Sequence, residues 1–147
     1  MQVKNLPIFV AGDVKQGRSI LNEAADEGRI AGYNAASESI TPFRRRTPLQ
    51  IVHTEPAIAI AGVAHAELTP GAVCASYTFE DQGRAKVQGR PAGLLRLYGC
   101  PKSGALLGAE MFAPGGEHLA HQLAWIISLQ ATLNDALQLP VYHPSLE

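Results

Sequence analysis

The sequence has few cysteines and few aromatic residues, and it lacks any long apolar run. Its two cysteines, Cys74 and Cys100, are spaced neither as C-x-x-C nor as C-x-x-x-x-C, which excludes a local redox pair or zinc motif. We interpret both as buried, reduced thiols. No apolar run approaches the ~18 residues of a membrane span, and no secretory signal pattern is present. The sequence therefore predicts a cytoplasmic protein that does not enter a membrane.

An excess of charge of one sign is also missing. The formal net charge is -1 and the pI is about 6.5, so no overall field attracts nucleic acid or anionic lipid. The basic cluster Arg44-Arg45-Arg46 lies between Pro42 and Pro48. We interpret it as a solvated linker, with an anion or partner contact as the alternative.

What is present is enough apolar sequence for one packed core, because 46% of the 147 residues are hydrophobic. Three segments differ in character: residues 1–40, a linker at 41–48, and residues 49–147. In the first, an apolar run at 7–11 predicts a buried strand, and Ser19 is expected to cap a helix that ends near Ser37. Small residues at helical spacing on this helix allow close approach of a backbone or a flat ligand, although packing explains them equally well. They are Ala24, Ala25, Gly28, Ala31, Gly32 and Ala35.

The third segment has strand patterns first and helix patterns last. This order predicts an α+β fold, an antiparallel sheet with helices on one side. The candidate strands cover 49–53, 57–63, 73–79, 93–98 and 105–112. A helix over 117–130 follows, and a shorter helix over 132–139 has Thr132 as its N-cap with Asp135 at the N3 position.

The helix over 117–130 is apolar on almost every side. Between Leu123 and Leu129 only Ser128 is polar, whereas a surface helix has one polar face. The helix should be covered by its own sheet and by a second element, most simply a second copy of the chain. The sequence thus predicts a homodimer, which Leu123→Glu or Ile127→Glu is expected to dissociate.

Several motifs, taken as a set, resemble one enzyme family. The segments IFVAGDV at 8–14 and ILNEAADEGRIAGYNA at 20–35 resemble the second flavin-binding motif of the pyridine nucleotide-disulfide oxidoreductases. HTEP at 53–56, GALLGAEMFAPGGEHL at 104–119 and VYHPSLE at 141–147 resemble the C-terminal interface, or dimerisation, domain of that family. The matches span nearly the whole chain and are most similar to dihydrolipoamide dehydrogenase.

The resemblance implies an FAD site in the first segment. Asp13 corresponds to the ligand of the flavin ribityl chain, and Gly12 allows close approach of the backbone. The helix start that faces the pyrimidine edge of the isoalloxazine comprises Ser19, Ile20, Leu21 and Asn22. A helix N-terminus stabilises the negative charge that develops on a flavin during reduction.

The resemblance also implies a catalytic histidine, His143, in the motif YHPS. In the thiol-disulfide members of the family this histidine reaches across the dimer into the partner's active site. Histidine exchanges protons near neutral pH when a carboxylate orients its ring. The family has that glutamate about five residues after the histidine. Here the orienting carboxylate is either displaced by one residue, at Glu147, or missing altogether.

Three features of the complete family are not found in the sequence: the G-x-G-x-x-G flavin motif, the nicotinamide-binding domain and the C-x-x-x-x-C disulfide. The resemblance therefore implies a C-terminal fragment of an enzyme that passes electrons between dihydrolipoyl thiols and NAD through a disulfide and FAD. The parent enzyme would associate with a lipoyl-bearing protein. We expect the fragment to be inactive and to release FAD.

Other interpretations stay open. The chain could belong to a mercuric reductase, a glutathione reductase or a soluble transhydrogenase, or it could be a free-standing dimerisation module. Residues 1–40, separated from the rest of a flavin domain, are expected to be mobile or exchanged between copies. His118 and His121 lie three residues apart, but without further ligands nearby we predict no metal site.

Overall fold

The computed structural model describes residues 1–4, 6–15 and 17–147. The chain divides into two compact units, an N-terminal unit, Met1–Arg46, and a C-terminal unit, Thr47–Glu147. The N-terminal unit contains a short 3-10 helix, Asp13–Lys15, and one α-helix, α1, over Leu21–Ala35. No helix in the described part of the chain is long and apolar enough to cross a membrane.

The strand predicted at 7–11 is wrong. The segment folds back on the chain start through a single bridge, Gln2 with Phe9. Val3 donates its N–H to the carbonyl of Ile8 at 2.9 Å, and Val10 donates to the carbonyl of Met1 at 3.0 Å. These local bonds do not extend into a ladder, and a strand without neighbouring strands has little to stabilise it. Ile8 is 51% exposed, so the run is not buried either.

The helix predicted after Ser19 is confirmed, but Ser19 does not cap it. α1 begins at Leu21, and the N-cap residue is Ile20, which is extended and offers no side-chain acceptor. The buried face of α1 is largely polar; it comprises Asp26, Glu27, Ile30, Ala31 and Asn34. Much of the small-residue stripe, including Gly28 and Gly32, is exposed. Within this unit the helix is therefore held by polar contacts.

The C-terminal unit is a five-stranded antiparallel sheet with helices, which confirms the predicted α+β fold. The strands are β1 (Leu49–Val52), β2 (Ala57–Gly62), β3 (Val73–Thr78), β4 (Leu94–Gly99) and β5 (Leu106–Ala113), and their order in the sheet is β1-β2-β5-β4-β3. The helices are α2 (Gly83–Val87), α3 (Gly116–Ser128) and α4 (Leu133–Leu137). Every predicted strand of this segment is found to within two residues of its ends.

The core lies between α3 and one face of the sheet. Its buried cluster consists of Ala59, Phe79, Ala109, Met111, Ala113, Leu119 and Ala120. The many alanines let the helix lie close to the strands, and a Cβ on Gly116 would come within 3.1 Å of the carbonyl oxygen of Ala57. Gly108 is required for a similar reason, because a Cβ there would lie 2.0 Å from the carbonyl oxygen of Val63. Small residues thus let α3 lie close to the sheet, and Gly108 lets β5 lie close to the chain that follows β2.

Two local predictions have opposite outcomes. The capping box at Thr132 is confirmed, since its Oγ1 accepts from the N–H of Asp135 at 3.1 Å and its own N–H donates to Asp135 Oδ2 at 2.8 Å. The interpretation of both cysteines as buried is wrong: both are free thiols, but Cys74 is exposed on β3, an edge strand, and Cys100 is half-buried. An edge strand has no neighbour to cover its side chains on the open side.

Candidate functional site

The Gly12–Asp13 turn has the geometry that its sequence suggests. Gly12 has φ of +75°, in the left-handed region that residues with a Cβ avoid. The chain then forms the Asp13–Lys15 helix, closed by the N–H of Lys15 on the carbonyl of Gly12 at 3.0 Å. Asp13 is exposed, so its carboxylate is accessible to hydroxyl donors.

The start of α1 leaves amide donors open. The first intrahelical bond runs from the N–H of Ala24 to the carbonyl of Ile20 at 2.9 Å, and no side chain caps the helix. The N–H groups before Ala24 therefore have no acceptor within α1. Leu21 is 85% exposed, and Ser19 and Asn22 are exposed as well, whereas Ile20 is half-buried.

The flavin can be tested against this set of groups. An exposed carboxylate suits the hydroxyls of a ribityl chain, and open amides at a helix N-terminus suit the electron-rich edge of a flavin ring. The groups present in this unit thus fit the polyhydroxylated chain and ring edge of FAD.

The basic cluster before the second unit is not simply solvated, which corrects the sequence-based interpretation for Arg45. Its guanidinium bonds three carboxylates of α1: Glu23 Oε2 at 2.5 Å, Glu27 Oε1 at 3.0 Å and Asp26 Oδ2 at 3.2 Å. Arg46 is far more exposed, with Nε 3.7 Å from Asp26 Oδ1. Local sequence shows only a charge run, and the partners lie about twenty residues away, so no local signal identifies them.

The C-terminal segment is anchored after His143 and leaves that histidine exposed. Gln82 donates from Nε2 to the carbonyl of Ser145 at 2.5 Å, and Leu146 fills the space beside Gly115, where a Cβ would lie 2.8 Å from its Cδ1. Within the described residues, the His143 ring makes no hydrogen bond or ion pair.

Glu147 lies along α3 and is not hydrogen bonded to His143. Gln122 donates from Nε2 to Glu147 Oε1 at 3.0 Å. Hydrogen bonds from Ser145 and then Gln122 lower the pKa of the Glu147 carboxyl. The structure therefore brings Glu147 to α3 and does not pair it with the histidine ring.

An apolar groove of about 720 Å³ runs along α3 and the C-terminal segment. Its lining includes Trp125, Leu129 and Tyr142, which are 63%, 80% and 85% exposed. Trp125 and Leu129 are one helical turn apart and so lie on one face, but Leu123 and Ile127 have the same spacing and are half-buried, so spacing alone does not identify the exposed pair. We define the α3 face as the part of this lining that lies on α3 and its C-cap, together with residues 139–142. On the helix and its cap these residues are Leu119, Gln122, Leu123, Trp125, Ile126 and Leu129.

The two residues chosen from the sequence to break a dimer, Leu123 and Ile127, also contact their own unit. Leu123 packs on the core cluster, and Ile127 Cδ1 lies 2.9 Å from where a Gly62 Cβ would stand. Both are half-buried against their own sheet. Glutamate at either position would disrupt the fold as well as an interface, so Trp125 and Leu129 are the informative positions.

The histidines on α3 are at its exposed start. His118 Nε2 lies 3.7 Å from Glu117 Oε1, and His121 Nδ1 lies 2.6 Å from the carbonyl oxygen of Glu117. No group of three or more potential metal ligands occurs among the residues that the structure describes.

Residues 49–147 match the model of the family "pyridine nucleotide-disulphide oxidoreductase, dimerisation domain". The chain belongs to this family. The match covers all five strands and all three α-helices of the C-terminal unit, and it confirms the resemblance seen in the sequence. The N-terminal unit of this dimerisation-domain chain lies before the matched residues.

Relatives of this family member align with both units. An NAD(P)H dehydrogenase (quinone) of Mycobacterium tuberculosis is 30% identical over 142 residues, which is 95% of this chain and 29% of the relative. A dihydrolipoyl dehydrogenase of Halobacterium salinarum is 29% identical over 142 residues, 95% of this chain and 30% of the relative. The chain therefore spans less than a third of the length of these relatives.

Solved structures give the same picture for the dimerisation domain and the preceding unit. LpdA from Mycobacterium tuberculosis matches with a TM-score of 0.77 and 28% identity, over 92% of this chain and 30% of that one. The HOCl-induced flavoprotein disulfide reductase RclA from Escherichia coli matches with a TM-score of 0.77 at 17% identity, over 92% of this chain and 32% of that one, and this likeness supports the fold alone.

Proposed function

We propose that this chain is the C-terminal part of an FAD- and NAD-dependent disulfide oxidoreductase of the dihydrolipoyl dehydrogenase type, acting in the cytoplasm. Support comes from the family match and from relatives with that printed name, which align with the N-terminal unit as well. The whole enzyme would transfer electrons between dihydrolipoyl thiols and NAD, and it would work with a lipoyl-bearing protein. The disulfide and NAD sites would lie in the preceding two thirds.

The role of the C-terminal unit in this proposal is to pair two subunits through the α3 face. The observation that carries it is the exposure of large apolar side chains in one groove, Trp125, Leu129, Val141 and Tyr142 among them. An apolar patch of this kind costs free energy in water and is typical of an interaction surface. A second copy supplies an identical face, and C2 pairing buries both at once.

In this dimer His143 would act on the partner subunit. It directly follows Tyr142, which lines the α3 face, and its ring is exposed. The anchors at Ser145 and Leu146 would hold the ring in place, and the imidazole would take the proton that a redox thiol loses and later return it. No step in this proposal needs Glu147.

In the N-terminal unit, Asp13 would hold the ribityl hydroxyls, and the amides of Leu21 and Asn22 would face the flavin ring. When bound, FAD supplies electron transfer between the disulfide and NAD. Gly12, Ser19 and Ile20 would shape the backbone around it. This chain has only one part of the site, so we expect it to release FAD on gel filtration, because binding must offset its entropic cost without the adenine and pyrophosphate contacts.

A second candidate is reduction of quinones, which the 30% identical NAD(P)H dehydrogenase (quinone) favours. Quinone reduction needs no proton exchange with an enzymic dithiol, so the role of His143 separates the two. In a protein that joins this chain to the preceding domains, His143→Ala should lower lipoamide turnover at least tenfold under the first proposal. It should leave quinone turnover unchanged under the second.

The pairing of subunits is tested on the chain itself by sedimentation equilibrium at micromolar concentration. The chain should be a dimer, and Trp125→Glu with Leu129→Glu should raise the dimer Kd by more than roughly 100-fold, since burying unpaired carboxylates costs at least about 3 kcal/mol. His118→Glu, on the same helix outside the groove, is the matched control and should leave the dimer intact. If the parent chain sediments as a monomer while it has the helix and strand content of the structure, the proposed pairing is refuted.

A further inference from the structure

The Gly12–Asp13 turn is tied to the interior of the N-terminal unit through one carboxylate. The N–H of Gly12 donates to Glu27 Oε2 at 2.9 Å. Lys15, at the other end of the 3-10 helix, forms a short ion pair with Glu27 Oε1. Glu27, which lies on α1, thus contacts the residues on both sides of Asp13: Gly12 before it and Lys15 two residues after it.

Glu27 is itself held on its far side. Arg45 Nη1 donates to Glu27 Oε1 at 3.0 Å, and the same guanidinium bonds Glu23 and Asp26. The side chain of Glu27 is 11% exposed and that of Asp26 is 3% exposed, so these are interior charges whose positions are fixed by their partners. Asn34 ties the following segment to α1 as well, accepting the N–H of Thr41 at 2.7 Å.

This arrangement does more than neutralise buried charge. Lys15 and Arg45 already satisfy the charge of Glu27, yet its second oxygen is used to hold a backbone amide of the turn. A carboxylate with two cationic partners is rigid, and by accepting the Gly12 N–H it fixes the Ala11–Gly12 peptide. The next peptide, which leads into Asp13, is held at its carbonyl by the N–H of Lys15 at 3.0 Å, and Lys15 also pairs with Glu27. Asp13 makes no ion pair within the described residues, so the position of its Cα–Cβ bond, and with it the region that its carboxylate can reach, is set by this backbone.

We propose that Glu27 is a positioning residue for flavin binding: it orients the Gly12–Asp13 turn so that Asp13 meets the ribityl chain, with Arg45 acting through Glu27. This inference rests on the proposed FAD site. It adds two residues, Glu27 and Arg45, to which the sequence motif assigned no role.

The first test measures the Gly12 amide in the absence of flavin. In the 147-residue chain, Glu27→Gln should move the Gly12 amide resonance upfield and raise its exchange rate with solvent at least tenfold, because a neutral amide is a weaker acceptor. Glu23→Gln is the matched control, since Glu23 also bonds Arg45 but does not contact Gly12. It should leave the Gly12 amide unchanged.

A second variant covers the case in which Glu27→Gln unfolds α1. Glu27→Asp keeps the charge for its cationic partners but withdraws the carboxylate by one methylene. Protection of the α1 amides should persist while the Gly12 amide exchanges faster. A Gly12 amide that is unchanged in both variants, with α1 protected, would overturn the proposal.

The closing experiment measures FAD release from a holoenzyme that contains this chain, by the rise in flavin fluorescence after dilution. Glu27→Gln should release FAD at least tenfold faster than the parent, and Glu23→Gln should match the parent. If the turn loosens but FAD release is unchanged, the positioning role is overturned. If the parent holds no FAD, the proposed function itself fails, and the amide measurements still report on the contact between Glu27 and Gly12.

Discussion

The two units of this chain are stabilised by opposite kinds of interior. The buried cluster of the C-terminal unit is entirely apolar, from Ala59 on β2 to Ala120 on α3. In the N-terminal unit, α1 buries Asp26, Glu27 and Asn34, and these are the buried polar residues of the described chain. The apolar interior packs α3 against the sheet, whereas the polar interior holds the Gly12–Asp13 turn through Glu27.

The difference agrees with the roles proposed for the two units. Apolar burial stabilises by roughly 25 cal/mol per Å² and needs no particular polar partner, which suits a unit whose proposed role is to present a surface. Buried ion pairs contribute little net stability because desolvation offsets their attraction. Their presence in the smaller unit is better explained by the precise position of Gly12 and Asp13 that they enforce.

The largest effect should come from the apolar core. Phe79 is 1% exposed, so Phe79→Ala should lower the free energy of unfolding of the C-terminal unit by about 3–5 kcal/mol. Hydrogen exchange should show faster opening in β4 and β5 while α1 amides keep their protection. Phe112, 46% exposed, is the matched control, and its replacement by alanine should cost about 1–2 kcal/mol. Equal loss of protection in α1 would show that the two interiors are not independent.

Low pH should destabilise the N-terminal unit more than the C-terminal unit. The hydrogen bond from Lys15, with further bonds from Arg45 and the Gly12 amide, lowers the pKa of Glu27 from 4.5 to about 2. Because the folded pKa lies below the unfolded one, this stabilisation is complete above pH 4.5 and is lost as pH falls from 4.5 towards 2. After allowance for solvent screening, its loss amounts to about 2 kcal/mol.

Amide exchange of α1, corrected for intrinsic rates, checks this at pH 7, 4 and 3. The opening free energy should fall with pH in the parent chain and stay flat in Glu27→Gln, which has no charge to lose. The buried cluster of the C-terminal unit contains no carboxylate, and the carboxylates of that unit whose pKa is lowered, Asp81, Asp135 and Glu147, lie outside it. Its opening free energy should therefore fall less between pH 7 and pH 3 than that of α1. If the opening free energy of α1 still falls with pH in Glu27→Gln, another titratable group causes the pH dependence.

Sequence patterns predicted the C-terminal unit well because its order is encoded locally. Alternating apolar residues and turn residues locate the strands, and Thr132 with Asp135 marks a helix start within four residues. α2 was missed since five residues, Gly83–Val87, show no periodicity; its start depends on Gln82, whose side chain accepts from the N–H of Ala85 at 2.7 Å.

The N-terminal unit was predicted less well because its contacts are distant in sequence. An apolar run at 7–11 has the pattern of a strand, but a strand also needs neighbours that the run itself does not reveal. From the local sequence Arg45 is predicted to be a solvated charge, because only the fold brings it to its partners. These are Glu23, Asp26 and Glu27. The family motifs predict Gly12, Asp13 and His143 as site residues, which stays a prediction. The residues that hold Gly12 in place are visible only from side-chain geometry.

The smallest effect concerns how the helices of the two units begin. Thr132 caps α4, so Thr132→Ala should destabilise that helix by about 1 kcal/mol, seen as roughly fivefold faster exchange of the Ala136 and Gln138 amides. Thr132→Ser keeps the hydroxyl and should behave like the parent. Ser19 does not cap α1, so Ser19→Ala should leave the exchange of the first α1 amides unchanged. Faster exchange there would show that Ser19 caps α1 in solution, and the open amides proposed to face the flavin would then already have an acceptor.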